Sequence, residues 1–366
     1  MLQPRLRARR LRNSLEGSPC RRGVERTTLL LSAEDVARCL RVDEAIDAVE
    51  KAFRAYHRRE AAMPPKSYVD LPEHGGDVRS MPSRVGNSVA LKWVNSHAGN
   101  PQRFGLPTVI GTLILTDPAT GWPLSIMDAT VLTAFRTGAG AAVATKALAR
   151  ADATSLGIVG AGTQATYQIA SISHVRPITR IVIADVRPDA AERLAERVRR
   201  HAPGIEVRAG SVEEASGCDI VCTTTPSHAP VVKRDWIANG AHVNALGADA
   251  AGKQELDPDI LGDAVVVVDD WEQATHSGEV NVPLTDGLLR PEHIRGTLGA
   301  VLEKAIPGRT TSREITVFDS TGLAIQDAAV ARVVFDRAQR EGLGSRVDLV
   351  KVDAEIPDVL AQMRRA

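Results

Sequence analysis

Cysteine is scarce in this chain of 366 residues, which holds only Cys20, Cys39, Cys218 and Cys222. No two of them form the C-x-x-C pair that structural zinc sites use, and so few in a chain of this length do not make a disulfide framework. We therefore predict no metal site. A reducing, cytoplasmic compartment fits this composition.

Long apolar runs and an excess of charge of either sign are missing as well. No stretch approaches the roughly 18 apolar residues that a membrane helix needs, so we expect no membrane partner. The formal net charge is zero, which gives no reason to expect a nucleic-acid partner. Hydrophobic residues make up 43% of the chain, enough for sizeable cores, and the length suggests two domains.

The zero net charge hides a basic start. Residues 1–26 contain eight Arg and two Glu, a balance of +6 that the rest of the chain offsets with −6. We interpret this segment as a disordered tail, with a transit peptide as the alternative.

The stretch from Ser155 to Asp185 has the pattern of a dinucleotide-binding unit. An apolar run at 156–159 is followed by Gly160-Ala161-Gly162, then by apolar residues at helical spacing, then by a second apolar run at 181–184. This order predicts strand, glycine turn, helix and a strand that ends in an acid. We therefore expect the first half of a Rossmann βαβ unit here.

Each residue type in this unit has a chemical reason. Gly160 permits the tight turn, and Gly162 lets the backbone approach a pyrophosphate at the positive end of the helix. Asp185 is placed to accept hydrogen bonds from the adenosine ribose, which favours NAD over NADP. Arg187 weakens that preference, since an Arg can accommodate a 2′-phosphate. Ala165 stands in place of the third glycine and is small enough for close helix packing.

The rest of the pattern divides the chain into two domains. Strands are predicted at 66–71, 89–94, 109–116 and 124–127. They are joined by turns, and apolar and polar residues alternate poorly along them, which favours a mixed or antiparallel sheet. Further strands at 206–208, 219–225, 242–246, 265–268 and 314–318 alternate with helices, which predicts a doubly wound parallel α/β sheet. We assign 149–322 to an NAD-binding Rossmann domain. Residues 27–148 with 323–366 then form a discontinuous α+β substrate and dimerisation domain.

Four charged residues are candidates for chemistry. Lys92 is a lone cation in an apolar strand, and a buried Lys must be paired or must hold an anion. Lys66 has a similar setting after two prolines. Arg136 is flanked by small residues, and its guanidinium can bind a carboxylate in bidentate fashion. Asp249 follows a strand and a glycine, where acid–base residues are expected. Taken singly, each of these residues is more often structural.

Together these stretches resemble one family. The chain is similar over about 28–342 to the ornithine cyclodeaminase/mu-crystallin family, and its segments 269–283 and 314–327 are closest to the archaeal-type alanine dehydrogenase branch. The collinear motifs are KWVN at 92–95, GLPT at 105–108, LTAFRTG at 132–138, GAGTQ at 160–164, GADAAGKQEL at 247–256 and FDSTG at 318–322.

The resemblance implies roles for individual residues. Lys66 and Arg136 would hold the substrate carboxylate, Lys92 would polarise the carbonyl or imine, and Asp249 would be the general acid/base. The family is typically homodimeric through its non-nucleotide domain. Residues matching cofactor-lining positions are Thr108, Gly160, Ala161, Gly162, Thr163, Gln164, Asp185, Arg187, Thr224, His242, Val243, Asn244, Ala245, Lys253 and Ser320.

One departure separates the branches of the family. Cyclodeaminases carry a Glu two residues before a Met-Pro pair, whereas Arg79 precedes Met81-Pro82 here. A cation beside a cationic side chain is unfavourable, so the substrate is expected to lack a terminal amine. The alternation of the strand leaves open whether Arg79 points to the substrate or to solvent.

We therefore predict an NAD-dependent oxidoreductase acting on a small amino acid, with L-alanine, pyruvate and ammonia as the leading reactants. The alternatives are an ornithine cyclodeaminase-type lyase, a ketimine or pyrroline-2-carboxylate reductase, and a non-enzymatic nucleotide-binding protein of mu-crystallin type. Lys92 and Asp249 argue against the last, because binding alone requires neither.

Overall fold

Two eight-stranded sheets form the frame of the protein in a computed structural model that describes residues 27–350. Residues Thr28–Val347 form one compact unit. The basic segment 1–26, interpreted as a tail, lies outside the described residues, as does 351–366. The division into a substrate domain and a nucleotide domain stays a prediction.

The strands follow the apolar runs of the sequence with small shifts at their ends. In chain order they are β1 (Thr28–Leu31), β2 (Ala61–Ala62), β3 (Ser67–Leu71), β4 (Gly76–Val85), β5 (Ser88–His97), β6 (Val109–Thr116), β7 (Pro123–Asp128), β8 (Ser155–Val159), β9 (Arg180–Ala184), β10 (Glu206–Ala209), β11 (Ile220–Thr223), β12 (His228–Val232), β13 (His242–Ala245), β14 (Gln254–Leu256), β15 (Val265–Val268), β16 (Ile294–Thr297), β17 (Thr316–Asp319) and β18 (Ser345–Val347).

Some of the helices begin at residues whose side chains cap the first turn. Ser32 and Ser211 form capping boxes with the acid three residues on. The helices are α1 (Ala33–Cys39), α2 (Val42–His57), α3 (Asn100–Phe104), α4 (Thr130–Leu148), α5 (Thr163–Val175), α6 (Pro188–His201), α7 (Val212–Ser216), α8 (Pro258–Asp263), α9 (Trp271–Ser277), α10 (Asn281–Thr285), α11 (Leu298–Leu302) and α12 (Ala324–Glu341).

The first sheet is mixed, as predicted. Its order is β18-β1-β7-β6-β5-β4-β2, with β3 also paired to β4. Strands β1 and β7 run parallel, and the other pairs are antiparallel. The pattern of apolar runs missed β4, because its Asp, Arg and Ser residues hide the alternation of buried and exposed positions.

The second sheet is parallel throughout and doubly wound. Its order is β10-β9-β8-β11-β13-β17-β15-β16, which confirms the predicted α/β class. Its central strands are buried on both faces and read as continuous apolar runs, which made them readable from the sequence. The edge strand β16 was missed because it is short and contains Arg295 and Gly296.

Helix α4 joins the two sheets and packs closely on α5. A Cβ atom at Gly138 would lie 2.7 Å from the carbonyl oxygen of Tyr167, so the backbones approach only because no side chain stands there. Helix α12 returns along the mixed sheet, with Val330, Val334 and Phe335 in the core that it shares with α2. Within residues 27–350, no helix combines the length and the apolar composition needed to cross a bilayer.

Candidate active site

The glycine turn lies at the topological switch point of the parallel sheet. The chain leaves β8 toward β9 on one side and later returns to β11 on the other, and ligands of doubly wound sheets bind at such a point. Gly160 directly follows β8 and has a φ of +102°, a value that favours glycine. Thr224, which follows β11, donates from Oγ1 to the carbonyl of Gly160 at 2.9 Å. The two strand ends are therefore tied together.

The start of α5 is open to a ligand. Gly162 is the N-cap residue and offers no side chain to the first turn, which begins at Thr163 and Gln164. A Cβ atom at Gly162 would meet nothing within 4 Å. The backbone N–H groups of this turn and the helix dipole suit a pyrophosphate.

Asp185 is fixed beside that turn. Its carboxylate accepts from the backbone N–H of Ala161 at 2.7 Å and from that of Arg187 at 2.8 Å. The Arg187 side chain is 62% exposed, with Nε 3.8 Å from the carboxylate. The acid predicted to accept the ribose is thus anchored, while the competing guanidinium extends into solvent.

Lys92 and Arg136 meet on a carboxylate that sequence reasoning gave no role. Lys92 Nζ lies 2.9 Å from Asp327 Oδ1 and 2.8 Å from its Oδ2, and Arg136 Nε donates to Oδ1 at 3.1 Å. Thr133 and Gln326 complete the cluster. Burial lowers the pKa of Lys92 to about 7, although Asp327 opposes the shift.

Arg79 points into the protein and not to solvent. Its side chain is 8% exposed, and it binds Asp77 through Nε at 2.6 Å and Nη2 at 2.9 Å. Its Nη1 donates to Asp249 Oδ2 at 3.0 Å, and Lys253 Nζ donates to the other oxygen of Asp249 at 2.6 Å. Burial acts to raise the pKa of Asp249, but the Arg79 and Lys253 charges outweigh it and hold that pKa well below its usual range.

Lys66 contacts the turn that follows β17. Its Nζ donates to the carbonyl of Thr321 at 2.6 Å, while the N–H of Thr321 donates to Asp269 at 2.7 Å. Burial lowers the pKa of Lys66 to about 8, with Asp269 opposing. Ser320 Oγ lies 3.4 Å from Asp269. The turn therefore brings the predicted cofactor residue Ser320 and the predicted substrate residue Lys66 to one place.

Four buried acids that the sequence did not single out hold the backbone of these loops. Burial raises the pKa of Asp319 to about 8 and that of Asp269 to about 6, and it also raises those of Glu255 and Glu279. Their backbone partners include Gly247 for Glu255, Leu256 for Glu279, Val280 for Asp319 and Gly322 for Asp269.

Not every predicted residue reaches the carboxyl edge. His242 starts β13 at the opposite end of the sheet, where its side chain is fully buried and bonded to Thr316 and Asn244, and its place in the cofactor site stays a prediction. Val243 lies in the core. Asn244 donates to Thr145 inside the sheet–helix layer. These three side chains are enclosed because the strand they form is buried on both faces.

Ala245 and Thr108, also predicted to line the cofactor, lie in or next to different sheets. Ala245 ends β13, and its carbonyl accepts from the N–H of Ser320 at 3.0 Å, which puts it at the carboxyl edge. Thr108 is half-buried before β6, where its carbonyl accepts from the N–H of His97 at 2.8 Å.

The residues that sequence reasoning missed share one signal. Asp327 is an acid on an otherwise apolar face of α12. Asp77 lies two residues before Arg79, so the alternation of side chains along a strand puts Asp77 and Arg79 on the same face of β4. An acid in a buried pattern requires a partner. That requirement could have matched each one to a nearby cation.

Known proteins are similar to this chain over most of its length. An alanine dehydrogenase from Archaeoglobus fulgidus is 46% identical over 325 residues, covering 89% of this chain and 99% of that protein. The structure of an archaeal alanine dehydrogenase dimer with bound NAD matches with a TM-score of 0.85 at 46% identity, over 88% of this chain and 100% of that one.

A second solved structure shares the fold at lower identity. The Δ1-pyrroline-2-carboxylate reductase of Thermococcus litoralis in complex with NADH and L-proline has a TM-score of 0.85 at 36% identity, over 87% of this chain and 100% of that one. The sequence profile of the ornithine cyclodeaminase/mu-crystallin family matches residues 26–342. By this match and by its 46% identity to the Archaeoglobus fulgidus protein, this chain belongs to the ornithine cyclodeaminase/mu-crystallin family.

Proposed function

We propose that the protein is an NAD-dependent amino-acid dehydrogenase that interconverts L-alanine with pyruvate and ammonia. The observation that carries the proposal is that Lys66 interacts electrostatically both with Arg136, which shares Asp327 with Lys92, and with Asp249. The 46% identity to an alanine dehydrogenase over nearly the whole chain supports this substrate.

The residues at the switch point suit a dinucleotide. The turn at Gly160, the open space above Gly162 and the anchored Asp185 match the needs of a pyrophosphate and a ribose without a 2′-phosphate. The related archaeal enzyme was crystallised with NAD. When bound, NAD supplies the hydride acceptor for oxidation at Cα.

The side chains divide the remaining work. Lys66 and Arg136 bind the substrate carboxylate, since an ammonium and a guanidinium both form charge-assisted hydrogen bonds to a carboxylate. Lys92, protonated, donates a hydrogen bond to the carbonyl oxygen or the imine nitrogen and so polarises the bond. Asp249, ionised, accepts a proton from the water that attacks the imine and later returns it to the leaving amine. Arg79 orients Asp249 and stands where a longer substrate side chain would extend.

A panel assay tests this function. The purified protein is incubated with NADH, ammonia and a series of 2-oxo acids, and in reverse with NAD and L-amino acids, while NADH absorbance is followed. We expect pyruvate and L-alanine to give the highest kcat/KM. Turnover confined to cyclic imines, or proline formation from L-ornithine, would replace the proposal with the reductase or the lyase.

We also propose that the protein works as a homodimer through the outer face of the mixed sheet. Leu91, Trp93 and Ile110 lie on neighbouring strands of that face and are 36%, 48% and 37% exposed. Clustered apolar side chains on one sheet face are typical of an interface. Light scattering after chromatography should give a dimer for the unmodified protein and a monomer for Trp93→Glu. A monomer in both would contradict the proposal.

A further inference from the structure

Asp327 lies in the first turn of α12 with no exposed surface and contacts two of the cations assigned to substrate chemistry. We propose that Asp327 is a positioning residue that holds Lys92 and Arg136 side by side for the substrate, an inference that rests on the proposed function. Asp327 itself touches neither substrate nor cofactor in this scheme.

The geometry requires all three elements. Lys92 comes from β5, Arg136 from α4 and Asp327 from α12, and the three residues are 1%, 7% and 0% exposed. One carboxylate oxygen, Oδ1, accepts from Lys92 Nζ at 2.9 Å and from Arg136 Nε at 3.1 Å. A shared acceptor fixes the separation of two like charges that would otherwise repel one another. Gln326 Oε1 accepts from Arg136 Nη1 at 3.2 Å and limits its rotation further.

The charge balance of the cluster favours an anionic substrate. Two cations meet one carboxylate, so one positive charge is left uncompensated in a buried place. A buried charge is costly without a partner. The carboxylate of an amino acid or a 2-oxo acid supplies the missing negative charge, which turns the cost into binding energy.

Asp327 also favours the protonated form of Lys92. The charged groups that face Lys92 are Asp327 from α12, Arg136 from α4 and Lys66 from the segment before β3. Burial and the two cations lower the pKa of Lys92, and Asp327 alone among the three charges raises it. Without the carboxylate, Lys92 would lose its proton at lower pH and could no longer donate to the carbonyl or imine.

The test compares Asp327→Asn with a control on the same helix. Asp336→Asn removes a carboxylate that pairs with Arg332 at 3.0 Å on the surface, where the Asp336 side chain is 46% exposed. For Asp327→Asn we expect a fall in kcat of at least about 100-fold. The alkaline limb of the kcat/KM profile for pyruvate should move to lower pH, and NADH binding, followed by fluorescence, should be retained. Asp336→Asn should leave all three unchanged.

A conservative variant separates positioning from folding. Asp327→Glu keeps the charge but moves it by one methylene, so we expect an alkaline limb close to that of the unmodified protein with kcat still reduced. An Asp327→Asn protein with an unmoved limb and near-normal kcat would overturn the proposal. Loss of folding in both variants would assign Asp327 to stability and overturn it as well.

Failure of the proposed function is recognised separately. It would appear as an unmodified protein that binds NADH yet turns over none of the panel substrates. Binding of pyruvate to the NADH complex, measured by calorimetry across pH, then decides the role of Asp327. As the pH is raised, affinity for pyruvate should be lost at a lower pH in Asp327→Asn than in the unmodified protein, which would support the positioning role. Identical pH dependence of the two proteins overturns it.

Discussion

Arg79 and Asp249 are 170 residues apart in the sequence and are joined by a 3.0 Å hydrogen bond in the structure. Arg79 is bound at the same time to both oxygens of Asp77. The guanidinium therefore links a strand of the mixed sheet to the loop after β13 and keeps the proposed catalytic base ionised. Lys253 Nζ, at 2.6 Å from the other oxygen of Asp249, acts in the same direction.

We predict that Arg79→Gln shifts the acid limb of the kcat/KM profile to higher pH. Burial favours the neutral form of Asp249, and Arg79 is the largest influence opposing it. Removing Arg79 raises the pKa of Asp249, so the base is lost earlier as pH falls. Arg84→Gln, an exposed change on the same strand, is the control. An unmoved acid limb in Arg79→Gln would show that Asp249 is not the group that titrates.

Lys92→Met and Asp249→Asn should each lower kcat by about 100-fold or more while NADH binding stays within about threefold. Lys92 lies 1% exposed in the mixed sheet, and Asp249 lies in the loop after β13, so neither belongs to the glycine turn. Turnover of pyruvate and ammonia with NADH measures kcat, and titration followed by NADH fluorescence measures cofactor binding. Near-normal kcat in either variant would remove that residue from the chemistry.

The cofactor preference should depend on Asp185. We expect the unmodified protein to have a higher kcat/KM with NAD than with NADP. Asp185→Ser should reduce the ratio of the two kcat/KM values at least about tenfold, because the carboxylate no longer repels a 2′-phosphate. Asp189→Ser, four residues on and paired on the surface with Arg193, is the control. An initial preference for NADP would mean that Arg187 prevails over the acid.

L-Ornithine should not be cyclised to proline at a useful rate. Arg79 faces the interior, and a second cation beside it at about 4 Å is opposed by up to about 4 kcal/mol at an effective dielectric near 20. Asp77 and Asp249 reduce that repulsion, because both contact Arg79. Assay of proline after incubation with NAD and ornithine tests this, and robust proline formation would contradict it.

The two acids also change the expected effect of reversing the charge at position 79. From the sequence, Arg79→Glu is expected to improve the binding of diamino acids. In the structure it would place a third carboxylate beside Asp77 and Asp249. Arg79→Glu combined with Asp77→Asn is the better variant, and ornithine affinity to its NAD complex is the measurement.

Asp319 should make stability fall as pH rises. Its pKa is raised to about 8 by burial, while the unfolded chain releases the same proton near pH 4. Between these values the folded state holds one more proton, so the free energy of unfolding decreases by about 1.4 kcal/mol per pH unit from this group. Urea unfolding at pH 5 and pH 7 should show a flatter pH slope for Asp319→Asn. Asp152→Asn, with its side chain 82% exposed, is the control, and equal slopes would contradict the prediction.

The parallel sheet was predictable from the sequence because its signals are local. The turn at 160–162, the acid at the end of β9 and the apolar runs of β8 and β15 each lie within a few residues of the element they define. Buried parallel strands are apolar on both faces, so their positions survive without knowledge of their neighbours. The resemblance to the family added roles for the candidate residues Lys66, Lys92 and Asp249.

Pairing was decided only in three dimensions. The sequence determined the class of fold, the family and the residue types available to bind a nucleotide and an anion. It did not determine that Lys92 and Arg136 share Asp327, at separations of 235 and 191 residues. Nor did it decide which face of β4 carries Arg79. Ion pairs depend on distances of about 3 Å between side chains from separate elements, and only the packing of those elements sets such distances.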